Sequence, residues 1–185
     1  DVPSVIDLET ADLNADGWLD IIACSYYDRI NNHNDTGVLL LWGSRDGFRQ
    51  WDSQWLPGMT PLGPVVADFD GDSFLDLFLP HYHGELTREL LPSYLYWGGP
   101  EGFHPHRRTV LVNDSAADGL AADFNRDSLL DLAVANHTVD GSHMKAKSKI
   151  YYNDGARFAS APEIEYLPSP GSHWMWNEDM GHIYT

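Results

Sequence analysis

Three short stretches of this chain carry oxygen-bearing side chains at one repeated spacing. They are Asp12, Asn14, Asp16 and Asp20; Asp68, Asp70, Asp72 and Asp76; and Asp123, Asn125, Asp127 and Asp131. Oxygens at positions 1, 3, 5 and 9 of a tight loop can converge on one hard cation, and the backbone carbonyl at position 7 (Trp18, Phe74 or Leu129) adds another donor. Calcium accepts such an all-oxygen set at about 2.3 to 2.6 Å and tolerates irregular geometry, whereas magnesium wants a smaller octahedron and softer metals want nitrogen or sulfur. The expectation is up to three calcium ions, one per loop. The second loop has a carboxylate at every side-chain position, while asparagine replaces one in each of the others.

Two other readings must be weighed. An Asp/Asn-rich turn can be held by its own side-chain hydrogen bonds without any ion. Against this, the position-9 aspartate falls inside an apolar run in all three copies, where an unpaired carboxylate would be costly. An EF-hand opens similarly but closes with glutamate at position 12. Here position 12 is Ala23, Leu79 or Val134, so the EF-hand is rejected.

The elements that must position these loops follow from the repeat. The lead aspartates Asp12, Asp68 and Asp123 lie 56 and 55 residues apart. A second landmark keeps step: Trp42, Trp97 and Tyr152 come 30, 29 and 29 residues after them, and Phe48, Phe103 and Phe158 each follow by six. Within a unit, a short run such as PVVA or GLAA precedes the loop, and LDIIACSYY, LDLFLPHYH or LDLAVANHT follows it. These read as strands, being short and rich in β-branched and aromatic residues. A third strand (VLLLW, SYLYW, SKIYY) leads to a Gly-containing turn, and a fourth starts at GF or RF.

Four antiparallel strands repeated about every 55 residues form the unit of a β-propeller blade. The fold class expected is therefore all-β, with blade 1 over 1–60, blade 2 over 61–115, blade 3 over 116–168 and a divergent tail over 169–185. The tail lacks the acidic spacing and is read either as the first strand of a further blade or as a closing strand. Three blades leave two open apolar faces, so further blades from the same or another chain are expected to complete a ring.

Composition narrows the partners. The net charge of -17, from 28 acidic and 11 basic residues, argues against nucleic acid and anionic membrane surfaces. Ten of those acidic residues sit in the three loops, so bound cations would offset part of the excess. Cys24 is the one cysteine, which excludes an intramolecular disulfide and a multi-thiolate zinc site. No apolar run is long enough to span a bilayer, so no membrane insertion is expected.

The DFDGDSFLD and WGGPEGF segments resemble the FG-GAP or VCBS-type repeat of integrin α-subunit heads and of many secreted bacterial proteins. The resemblance covers roughly residues 5 to 167. It implies a propeller, typically of seven blades, with calcium in the loop between the first and second strands of a blade. Departures are Ser73 and Ser128, where glycine is usual, and the third turn, YYNDGARF.

Recognition is expected at the opposite end of the sheets, where long connections run from Tyr26 to Gly37, His81 to Ser93 and Asn136 to Ser148. Tyr26, Tyr82 and His137 occupy equivalent places there, with His81 and His83 flanking the middle one; these five are the candidate ligand-binding residues. His81, His83, Tyr82 and His137 are also weak candidates for catalysis, with no third metal ligand or nucleophile beside them. For any single histidine, an ordinary polar group is the simpler reading. Trp51, Trp55, Trp174 and Trp176 read as packing residues between blades, and Asn34, Asn113 and Asn136 begin glycosylation sequons.

The leading expectation is a calcium-stabilised binding or adhesion module, secreted, periplasmic or on the cell surface, that recognises a glycan or protein. One alternative is a polysaccharide lyase or hydrolase, because some secreted propeller lyases resemble this repeat and use His and Tyr in the central cleft. The other is a structural spacer.

Overall fold

Each acidic loop is bracketed by the strands its apolar neighbours require. The computed structural model describes residues 4–26, 35–49, 51–82, 91–137, 147–158 and 164–166. Its twelve strands form three four-stranded antiparallel sheets, each in simple up-and-down order. The first contains β1 (Val5–Ala11), β2 (Asp20–Ser25), β3 (Val38–Leu41) and β4 (Ser53–Leu56). The second contains β5 (Val65–Ala67), β6 (Asp76–Leu79), β7 (Leu91–Tyr96) and β8 (Arg108–Asn113). The third contains β9 (Ala116–Ala122), β10 (Asp131–Asn136), β11 (Lys149–Tyr151) and β12 (Ile164–Tyr166). The fold is all-β, and three blades of the expected kind are present.

Period-2 alternation explains how the sheets stack. In β6, Leu77 and Leu79 point to one side and join Leu13, Ile22, Cys24, Val38, Leu40 and Leu56 of the first blade. Phe78 points to the other side and packs with Leu132, Val134 and Tyr151 of the third. The second sheet is therefore covered on both faces, which is why β6 is a continuous apolar run rather than an alternating one.

The fourth strands start later than the sequence suggests. Phe48, Phe103 and Phe158 precede β4, β8 and β12 by five or six residues and lie in turns. Two of them, Phe103 and Phe158, join blades. Phe103 packs into the core that holds Leu13 of the first loop, and Phe158 meets Phe69 of the second loop edge to face at 6.0 Å. Each turn thus plugs the loop of the blade before it, and burying such a ring contributes about 1.5–3 kcal/mol. The pattern predicts which copies lack a partner: Phe48 and Phe124 stand 48% and 38% exposed.

Other placements differ from expectation. Trp51 is 82% and Trp55 49% exposed, so neither packs between blades here; both belong to the outermost strand or its approach. Asn113 and Asn136 are buried, which bars their sequons from a glycosylating enzyme in the folded chain. Asn34, Trp174, Trp176 and the tail lie outside the described residues.

Candidate metal loops

The three acidic loops fold by one hydrogen-bond scheme. The carboxylate at position 1 receives the backbone N–H groups of positions 5 and 6: Asp16 and Gly17 donate to Asp12, Asp72 and Ser73 to Asp68, and Asp127 and Ser128 to Asp123. The position-5 carboxylate receives the N–H of position 7, at 2.8 Å from Trp18, 2.9 Å from Phe74 and 2.8 Å from Leu129. So tight a wrap requires left-handed backbone at positions 4 and 6, occupied by Ala15 and Gly17, Gly71 and Ser73, and Arg126 and Ser128. Ser73 and Ser128 hold φ of 73° and 75°, a region that costs an L-residue about 1 kcal/mol. Ser73→Gly and Ser128→Gly are each expected to raise the unfolding free energy by roughly that amount; a fall in urea midpoint would contradict it.

The position-9 aspartates do something the spacing did not reveal. Asp20, Asp76 and Asp131 are fully buried. One oxygen of each accepts the N–H of loop position 2, from Leu13, Phe69 or Phe124 at 2.8, 2.8 and 2.9 Å. The other accepts the N–H of the residue after the third-strand landmark: Gly43, Gly98 or Asn153 at 2.8, 2.9 and 2.9 Å. A single carboxylate therefore clamps the acidic loop to the turn beyond the third strand, which is how the two motifs come to share one end of each sheet. Gly43 and Gly98 are glycine because a Cβ would stand 2.1 and 2.0 Å from the carbonyl oxygens of Leu19 and Leu75. In the third blade Asn153 donates its side-chain amide to the equivalent carbonyl of Leu130, and also to Phe69 of the second loop.

A hard cation fits this donor set best in the second loop. Carboxylate oxygens of Asp68, Asp70 and Asp76 all lie within 4.8 Å of one another. Burial pushes the Asp76 carboxyl up to about 6, with the neighbouring Asp70 and Asp72 charges adding to it against two lowering backbone hydrogen bonds. Burial raises Asp20 in the same direction. Such a cluster of acidic oxygens is stabilised by positive charge. In loops one and three the position-3 residue is an amide, whose NH2 donates to the position-5 carboxylate: Asn14 to Asp16 at 3.0 Å and Asn125 to Asp127 at 2.8 Å. In loop two no such donor exists, and Asp70 instead meets Arg157 of the third blade at 2.6 Å. Nothing in the sequence pattern singles out Arg157, because the contact joins two blades.

The His and Tyr candidates gather at the other end of the sheets. Tyr82 and His137 meet with ring centroids 4.9 Å apart and planes tilted by 49°, and Tyr82 packs with Leu62, Ala117 and Tyr26. Both are nearly buried, while Tyr26 is partly exposed. His81 is fully buried, packs edge to face on Tyr94 at 4.5 Å and donates Nδ1–H to the Pro92 carbonyl. Burial lowers its pKa to about 3, with a smaller push from Arg108, so it stays neutral at physiological pH. His83 lies outside the described residues.

Comparison with known proteins agrees with this geometry. Residues 10–79 match the FG-GAP-like repeat family. The chain is similar to the T-cell immunomodulatory protein of Mus musculus, 28% identical over 123 residues that make up 65% of this chain and 19% of that protein. The Rattus norvegicus protein of the same name is 27% identical over 130 residues, 69% of this chain and 20% of that protein. The Homo sapiens one is 29% identical over 68 residues, 37% and 11%. The chain thus spans about a fifth or less of these relatives' length.

Proposed function

We propose, from the match of residues 10–79 to the FG-GAP-like repeat family, that these blades belong to an extracytoplasmic binding or adhesion module that calcium stabilises at the three acidic loops. The observation that carries the metal half is the convergence of Asp68, Asp70 and Asp76 oxygens in a loop whose hydrogen-bond scheme recurs twice more. Calcium sites of this class fill where the ion is abundant, outside the cytosol, which favours a secreted, periplasmic or cell-surface setting. Recognition of a glycan or protein is assigned to the opposite end of the sheets, around the partly exposed Tyr26, since loops on a rigid scaffold are free to vary for binding. Further blades are needed against the faces that expose Phe48 and Phe124.

A catalytic role draws no support from His81, which is buried and held neutral, its Nδ1–H donated to the Pro92 carbonyl. Calcium uptake by the full chain, measured by isothermal titration, tests the proposal. We expect saturable binding approaching three ions, reduced by one in Asp68→Asn. Absence of uptake at millimolar calcium would refute it.

A further inference from the structure

The second loop differs from the others in where its positive charge comes from. Its position-3 residue is Asp70, an acceptor only, so the internal donor supplied elsewhere by Asn14 and Asn125 is missing. Asp70 is also poorly hydrated, its side chain being 8% exposed. Carboxylates of Asp68 and Asp76 stand within 4.8 Å of it. Left alone, such a cluster is self-repelling.

The compensating charge arrives from the neighbouring blade. Arg157 lies in the turn before β12, at the position taken by Gly47 and Gly102 in the other turns. It keeps the left-handed backbone of those glycines, with φ of 61°, and Thr109 of β8 donates to its carbonyl at 2.8 Å. From there Nη2 reaches Asp70 Oδ2 at 2.6 Å, and the guanidinium carbon sits 5.2 Å from the Trp97 ring. Trp97 in turn stacks on Phe158, the plug of the joint between blades two and three. The equivalent residue in the turn of the second blade is Gly102, which has no side chain to offer to loop one.

From this geometry we infer that Arg157 is the resident cation of the second loop, tethered by the third blade, and that a divalent ion entering the loop must displace it from Asp70. The exchange rests on the calcium reading above; the resident cation does not. Its consequence is that the three loops are not equivalent. Loop two, although richest in carboxylate, holds its ion against an internal competitor, and filling it releases Arg157 from the blade joint.

The test uses the full chain. In chelator, a double-mutant cycle of Arg157→Gln and Asp70→Asn is expected to show coupling of about threefold to tenfold in the unfolding equilibrium constant. In calcium titrations, Arg157→Gln and Arg157→Gly are expected to bind at loop two about tenfold more tightly than the wild type, because a unit charge a few ångströms away no longer opposes the ion. Tryptophan fluorescence should report the exchange, since the guanidinium leaves Trp97. Additive mutations in chelator would overturn the inference, as would unchanged or weaker calcium binding in both variants. If no protein takes up calcium while the coupling persists, the calcium reading falls and Arg157 stands as the loop's only cation.

Discussion

Asp76→Ala is expected to destabilise the chain by about 4 kcal/mol in chelator, with no calcium present. The side chain is fully buried, and its two oxygens are the acceptors for the Phe69 and Gly98 N–H groups. Removing them strands two donors away from water at about 1–3 kcal/mol each, and the deleted carboxyl leaves a void between loop and turn. Against a typical domain stability of about 5–15 kcal/mol, this is a large fraction. Asp76→Asn keeps one acceptor oxygen and should cost about half as much. Asp16→Ala is the control: its carboxylate bonds at the exposed surface of its loop, so little should change without calcium. Urea unfolding in EDTA separates the roles. If Asp76 served only as a metal ligand, both of its variants would match the parent there.

Millimolar calcium is expected to raise the melting temperature of the whole chain by roughly 10–20 °C, and EDTA to reverse the shift. A ligand at a hundred times its dissociation constant adds about 2.7 kcal/mol per site, and each kcal/mol moves a chain of this size by about 2–4 °C. Sites of millimolar to tenth-millimolar affinity, as in extracellular modules, would be filled ten- to a hundredfold at about 10 mM calcium. Magnesium should do much less. The gain should also fade in acid. Asp76 holds its proton up to about pH 6 when folded, well above its ordinary value of 3.8, so protons and calcium compete there as the pH drops through 6. Without calcium the sign reverses: the folded state binds that proton more tightly than the unfolded chain, so its contribution improves as the pH falls from above 6 towards 4. A melting curve indifferent to calcium at pH 7.5 would remove the metal role.

Much of this architecture is legible before any coordinates. The turn-and-strand rhythm around Asp12, Asp68 and Asp123 is local. Every hydrogen bond within a loop spans seven residues or fewer, as with Asp20 and Leu13, so spacing alone implies the wrap. Apolar runs such as LDLFL mark strands buried on both faces. The outer strands were harder to place. Phe48, Phe103 and Phe158 look like strand starts by composition, yet Phe103 and Phe158 are plugs, a role defined only by the blade each one faces.

The same reasoning explains the histidines. His81 and His83 alternate at a strand end, which suggests a shared surface; His81 instead disappears beneath Tyr94 and Pro92. Whether a loop-end ring is buried depends on what the next sheet and the returning connection bring over it. Exposure is not a property of the residue or its spacing.

The chain's own order of residues therefore determined the repeat, the all-β class, the strands and the oxygen-rich loops, because each arises from contacts within a handful of positions. Only the tertiary structure decided that the position-9 aspartate is a clamp between two turns, that a phenylalanine from one blade seals the loop of another, and that Arg157 reaches Asp70. Those contacts join groups from about 20 to nearly 90 residues apart, as with Asn153 and Phe69 at a separation of 84. Their partners are chosen by how the sheets stack, and stacking leaves no periodic mark on the sequence.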